Sequence, residues 1–287
     1  MKLREMAGLA LLAWSGSVGA GEIVVPSVAV NLQGKGRNVW SSEIYLVNPG
    51  PATARVEVAE VITGRIKVRV PCLAPVIRFR EVPPYASALL TWPEMSQMLG
   101  CPEEFLGAFV LRSDAEIVVS SRLVNVRSKT VGGDVSPLTG LGQDVPGIPR
   151  DQLPKLHAVY MLPVLASGPC FARVFDSYLQ LANPGEAPVV VTLDRARAGG
   201  GGSLVVDGVE ASTPIGVTIA PRSFRQIALA LPAVPPQECF GVAPRPFVFD
   251  LFFTVSGEIA VTGSVVDRVS QDARTVLPVA TTAAPPE

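Results

Sequence analysis

Ser42-Glu43-Ile44-Tyr45-Leu46-Val47-Asn48-Pro49-Gly50 and Ser177-Tyr178-Leu179-Gln180-Leu181-Ala182-Asn183-Pro184-Gly185 are two writings of one pattern. In each, apolar residues alternate, Ile44 and Leu46 in the first, Leu179 and Leu181 in the second, which is the period of a strand with one buried face. Each run then meets Asn-Pro-Gly. Proline fixes φ and has no N–H to donate, and glycine tolerates positive φ, so the ladder of hydrogen bonds stops and the chain turns. The two asparagines stand 135 residues apart, about one domain length. A duplicated β domain is the expectation.

The sequence around the two copies repeats in the same order. Residues 159–164 echo 23–28, each apolar run being interrupted by a proline (Pro163, Pro26), which suits a sheet edge or a strand that switches sheets. Residues 217–221 echo 71–75, and 258–267 match 116–125 position by position. In the first copy 55–58 and 66–70 alternate apolar with charged residues, and Thr63-Gly64 between them reads as a hairpin turn. Residues 92–99, with Pro93 near the start, read as one or two helical turns. Asp207-Gly208 predicts a two-residue hairpin in an insertion of the second copy. Trp40 and Phe175, also 135 apart and in phase with the inward residues, read as a core plug. Short strands with regular turn signals make this an all-β chain of two tandem immunoglobulin-like β-sandwich domains. The expected segments are a leader at 1–20, sandwiches at 21–147 and 158–280, a proline-rich linker at 148–157 and a disordered tail at 281–287.

The leader carries Lys2 and Arg4, then an apolar run from Met6 to Trp14, then small residues ending at Ala20, the three parts of a cleavable signal peptide. The run is too short to span a bilayer. Gly21 rather than cysteine follows the expected cut, which argues against a lipid-anchored N-terminus. Cleavage takes the formal net charge from −1 to −2, leaving no basic excess for nucleic acid. The mature chain is expected to be periplasmic or extracellular, without stable membrane insertion.

Four cysteines, Cys72, Cys101, Cys170 and Cys239, are an even number in a chain bound for an oxidising compartment, where disulfides are expected. Three connectivities exist, and the repeat boundary favours Cys72–Cys101 and Cys170–Cys239. The metal reading is weak, with no C-x-x-C and a single histidine, His157.

Catalytic signals are unspecific. His157 falls between the copies, and no G-x-S-x-G accompanies it, so a serine triad has no frame. Glu103-Glu104 is a pair of acids beside Cys101-Pro102, and adjacent loop acids are ordinarily solvated. No cofactor is implied. What remains is binding, through loops, an open face or a lent edge strand. Tyr45, Tyr85 and Trp92 are the candidate contacts for a protein or carbohydrate ligand, against the plainer reading of half-buried sandwich residues.

Trp40 to Pro49, Leu73 to Pro75 and Asp114 to Asn125 carry a resemblance to tandem sandwich repeats of a class of exported bacterial proteins. Those repeats show an aromatic, an alternating strand ending in Asn-Pro, a Leu-Ala-Pro strand and a penultimate strand rich in valine and serine. The second copy keeps Asn183-Pro184 and Ala220-Pro221 but has Thr262-Gly263-Ser264 where the first has Ser120-Ser121-Arg122. The resemblance implies fold and export and no activity. The expected function is therefore non-catalytic, an exported protein mediating cell-envelope or extracellular protein interaction, with a carbohydrate-binding module as the alternative.

Overall fold

Alternating apolar residues drive strand formation in most of the described chain, and the computed structural model describes residues 20–33, 39–67, 79–125, 142–156, 158–167, 175–194, 203–232, 247–267 and 273–281. The expected leader up to residue 19, the tail from 282, the glycine run at 199–202, His157, Cys72, Cys170 and Cys239 fall outside these residues. Contacts divide the chain into two units. The first takes Met1–Val61, Arg65–Pro137 and Asp144–Gln152; the second takes Ile62–Gly64, Leu138–Gln143 and Leu153–Glu287.

Strands lying wholly or mostly in the first unit are β1 (Gly21–Val30), β2 (Leu32–Gln33), β3 (Val39–Val47), β4 (Ala54–Lys67), β5 (Phe79–Val82), β6 (Ser87–Leu90), β7 (Glu104–Ser113), β8 (Val118–Asn125), β9 (Gly142–Pro146) and β10 (Ile148–Pro149). Helix α1 (Trp92–Met98) follows β6, where 92–99 was expected to be helical. Pro93 sits in its first turn, where the missing N–H costs nothing, and Glu94 reaches back to accept from Thr91 N at 2.8 Å. One sheet runs β10-β1-β7-β4-β5 and the other β6-β3-β8-β9, with β2 also pairing with β3. Ile44 and Leu46 of β3 meet Val25 of β1, Phe109 of β7 and Met95 of α1 in one buried cluster fed by both sheets. That is a β-sandwich core, each such side chain contributing about 1.5–3 kcal/mol by burial.

The second unit contains β11 (Tyr160–Ser167), β12 (Phe175–Asn183), β13 (Val189–Asp194), β14 (Ser203–Val206), β15 (Val209–Ser212), β16 (Ile215–Ile219), β17 (Ser223–Ala230), β18 (Phe247–Val255), β19 (Ala260–Asp267), β20 (Ala273–Val276) and β21 (Val279–Ala280). Its sheets run β21-β11-β18-β13-β16 and β17-β12-β19-β20. Strand for strand this is the order of the first unit, so the duplication extends to topology. Hairpin β14–β15 is the insertion. It turns at Asp207 and Gly208, both at positive φ (50° and 87°), as the Asp-Gly signal requires. Leu179, Leu181, Phe249 and Phe253 lie in the buried cluster of this unit.

In both units the second and fifth main strands share a sheet, as do the third and sixth. The first strand (β1, β11) lies beside the sixth (β7, β18) and the last (β8, β19) beside the second (β3, β12). The constant-type immunoglobulin order puts the first strand beside the second and the last beside the sixth. The terminal strands thus exchange places relative to that order.

Three sequence expectations change. Thr63-Gly64 is no hairpin turn, because β4 runs unbroken from Ala54 to Lys67. The β-branched run Val61-Ile62-Thr63 favours extended backbone, and glycine permits extension as readily as a turn. Pro26 and Pro163 mark bulges rather than sheet edges: the register with the neighbouring strand slips by one residue between Val25 and Val28 and between Leu162 and Leu165. Beyond each bulge a serine takes over the ladder, Ser42 Oγ accepting from Ala29 N at 2.9 Å and Ser177 Oγ from Ala166 N at 3.0 Å. Trp40 is half-buried beside Leu32 at the start of β3, outside the core cluster, whereas Phe175 packs partly against its own.

Within the proline-rich stretch read as a linker, Ile148 and Pro149 pair with Val24 and Ile23 of β1. Arg150 and Arg112 both donate to the Glu22 carboxylate. Those hydrogen bonds, Arg112 first and Arg150 second, outweigh partial burial and hold the Glu22 carboxyl below its ordinary value of 4.5.

The structural device that both copies share is the Asn-Pro-Gly corner. Asn48 is buried, and its Nδ2 donates to the carbonyls of Ala52 (2.7 Å), Val82 (2.9 Å) and Pro83 (3.1 Å), while its Oδ1 accepts from Gly50 N (2.9 Å). Asn183 repeats this with Ala187 (2.8 Å), Ile219 (3.3 Å), Ala220 (3.0 Å) and Gly185 N (2.9 Å). Replacing Asn48 or Asn183 by Ala strands three carbonyls and an N–H; we expect each change to cost about 2–4 kcal/mol. Urea denaturation measures it, and a loss near zero would refute the role. For Glu22, a depressed pKa means that its stabilisation is present above 4.5 and lost as pH falls through the lowered value. Acid unfolding of Glu22→Gln should lack that component, and an unchanged profile below 4.5 would count against it.

Candidate functional site

The chemistry-bearing residues of the first unit fall in three separate places. The first is the start of β7. Glu103 is exposed, but Glu104 is 1% exposed, against the expectation that both acids are solvated. Its Oε1 accepts from Gln33 N at 3.3 Å and pairs with Arg65 at 3.3 Å, and Oε2 lies 2.8 Å from Lys67 Nζ in an ion pair outside hydrogen-bonding angles. Both cations come from the far end of β4 and are half-exposed. A buried carboxylate needs such partners, since alone it would have to give up its charge. The arrangement is a clasp between β2, β4 and β7. Sequence reasoning missed it because nothing in Glu103-Glu104 tells which of the two is covered; Glu104 lies on the face of β7 opposite to Phe105 and Phe109, and it is β2 and the end of β4 that close over it.

The second place is the outward face of β3 and β8. Tyr45 pairs across the sheet with Ser120 and Leu89, and Glu43 with Arg122. Tyr45 Oη donates to Glu43 Oε2 at 3.0 Å, and Arg122 lies 4.0 Å from Asp144 on β9. Burial first, then the neighbouring Glu43 carboxylate, pushes the Tyr45 phenol up from its usual range. In the second unit the position of Tyr45 is taken by Gln180, which accepts from Thr262 Oγ1 at 2.9 Å. The face mixes the Tyr45 ring with charged and hydroxyl groups (Glu43, Arg122, Ser120) and with apolar ones (Leu89, Val47, Val118, Val124).

The third place is the Asn48 corner. Between β5 and β6, Pro84 and Tyr85 form a turn in which Tyr85 has φ 53°, a left-handed conformation that favours glycine, and is 74% exposed. Its N–H donates to Gly50 O at 3.2 Å. Pro49, Pro51, Pro83 and Pro84 around it are exposed. The second unit builds the same turn from Pro221 and Arg222, with Arg222 at φ 47° and its N–H on Gly185 O at 3.1 Å. There the Arg222 guanidinium is paired with Glu186, which stands where the first unit has Pro51. One backbone carries two decorations: proline and tyrosine in the first unit, an ion pair in the second.

Tyr45, Tyr85 and Trp92 therefore do not form one patch. Tyr85 projects at the corner, Tyr45 is half-buried on the sheet face, and Trp92 packs partly against the core at the start of α1. Cys101 is the one expected disulfide residue within the described part, and no free cysteine occurs there. Among the described residues no group of three or more His, Cys, Asp or Glu side chains is placed to hold a metal ion, and no helix is long and apolar enough to cross a membrane. Comparison of the chain with protein-family models, with curated proteins and with solved structures finds no match.

The Glu104 clasp has a direct test. Glu104→Gln leaves Arg65 and Lys67 facing a neutral amide and should lower stability by about 1–3 kcal/mol, the half-exposed cations keeping the cost below that of a fully buried pair. A urea midpoint equal to that of the unaltered protein would show the clasp to be dispensable.

Proposed function

We propose that this is an exported, non-catalytic protein whose two sandwiches, immunoglobulin-like in their shared inner strands, mediate protein interaction in the cell envelope or outside the cell. The observation that carries this reading is the contrast between the two corners. Backbone, asparagine and turn are common to both, yet one copy sets an arginine paired with a glutamate at the turn and the other an exposed tyrosine beside Pro51. A framework kept twice and decorated once for contact is what a binding module needs, and aromatic side chains are favoured anchors in protein interfaces. The leader at 1–20 supports export, and the resemblance to tandem sandwich repeats of exported bacterial proteins agrees with it. The disulfides Cys72–Cys101 and Cys170–Cys239 belong to the same proposal.

The carbohydrate alternative has its own observation, the outward face bearing Tyr45, Glu43, Ser120 and Arg122. A ring beside hydrogen-bonding groups suits a sugar better than the corner does.

The test is cross-linking of the mature protein in its native envelope fraction, followed by identification of what is captured. A protein partner retained by Arg222→Ser and reduced at least about tenfold by Tyr85→Ser is the expected result. Capture indifferent to Tyr85 would overturn the corner as the contact. Glycan binding lost in Tyr45→Ala, with no protein partner, would replace the reading by the alternative.

A further inference from the structure

Resting on the protein-interaction reading, we infer that the Asn48 corner takes a proline-rich extended segment of a partner protein. The first ground is polar inventory. The carbonyls of Ala52, Val82 and Pro83 are bound by Asn48 Nδ2, that of Ala86 by Asn48 N at 2.9 Å, and that of Gly50 by Tyr85 N. Residues 49–53 and 83–87 contain no charged side chain. The surface therefore has ring faces to offer, and its exposed hydrogen-bonding side chains are the hydroxyls of Thr53, Tyr85 and Ser87. A sugar pressed here would leave hydroxyls unpaired, at a cost for each, and a charged peptide would be desolvated without a partner.

A polyproline II segment has the opposite needs. It presents pyrrolidine rings, has no N–H to satisfy at its prolines, and keeps carbonyls that accept a hydrogen bond from a tyrosine hydroxyl. Tyr85 supplies both a flat ring and such a donor. The second ground is preorganisation. Pro84 sets the φ before the turn, and the Gly50 carbonyl holds the Tyr85 N–H, so the ring's backbone is fixed before any ligand arrives. A glycine would sit at φ 53° without strain; a tyrosine there, 74% exposed, has no internal packing to justify it. The third ground is the internal control. With the same turn, the second unit carries Arg222 and Glu186 where the first has Tyr85 and Pro51, so the turn has an exposed proline, Pro221, but no aromatic ring.

The experiment titrates the mature protein with a capped polyproline peptide of roughly ten residues, a length that gives a stable polyproline II helix. Saturable binding is expected, weakened at least about tenfold by Tyr85→Ser and by the paired change Pro51→Glu with Tyr85→Arg, which copies the second unit's ion pair. Arg222→Ser should leave the affinity unchanged. Tyr85→Gly serves as the folding control: it should raise the unfolding midpoint by relaxing the turn and still lose the peptide. Failure of the unaltered protein to bind the peptide, or equal binding by Tyr85→Ser, would overturn the inference. So would Tyr85-dependent self-association or glycan binding, each naming another occupant. If Tyr85→Ser loses the envelope partner while polyproline neither binds nor competes, only this inference falls; if the partner is kept, the corner falls as the contact altogether.

Discussion

One primary amide at the end of the second main strand is the constraint on which each unit depends. Asn48 and Asn183 are buried where β3 and β12 stop, and each carries three donated hydrogen bonds and one accepted. The bound carbonyls lie on two segments far apart in sequence, the turn into the third strand and the end of the fourth. Aspartate has no N–H to give them, and leucine would leave them all unpaired. The glycine two residues on is part of the same device: a Cβ there would stand 3.3 Å from Asn48 Oδ1 and 3.2 Å from Asn183 Oδ1, tighter than ordinary contact. Proline between them ends the ladder so that the amide can replace it.

Around this corner the rest of the sandwich is arranged as ladder and packing. The bulges at Pro26 and Pro163 turn the phase of the first strand, and the Ser42 and Ser177 hydroxyls meet the N–H groups beyond them. Serines at the beginning of the repeated stretch and asparagines at its end thus bracket the central strand with polar anchors. The apolar residues between them fill the core. Such a frame tolerates change on its surface, because the groups that specify it are internal. Apart from helix α1 in the first copy and the β14–β15 hairpin in the second, the copies differ in the side chains at the turn, Tyr85 against Arg222, and on the outward sheet face, Tyr45 against Gln180.

The fold was legible in sequence wherever the signal was local. Alternation, Asn-Pro-Gly, Asp207-Gly208 and Pro93 each act through backbone conformation within a few residues, and each led to the strand, corner, hairpin or helix observed. Thr63-Gly64 misled because a glycine permits a turn without demanding one, and the β-branched residues before it carried the strand through. Glu104 misled for a different reason. Its burial follows from where β2 and the end of β4 come to lie, and the cations that match it are at Arg65 and Lys67, remote in sequence.

By itself the sequence determined that the protein is all-β in class, that its pattern is written twice, and where the corners fall, since these rest on periodicity and on the stereochemistry of proline, glycine and asparagine. Tertiary structure alone decided the placing of the first strand beside the sixth, the separation of Tyr45, Tyr85 and Trp92, and the exposure of the Tyr85 ring on a turn that its counterpart covers with charge. Strand order depends on which long-range pairings bury most apolar surface together, and exposure depends on what that packing leaves outside. Neither quantity belongs to any short stretch of chain.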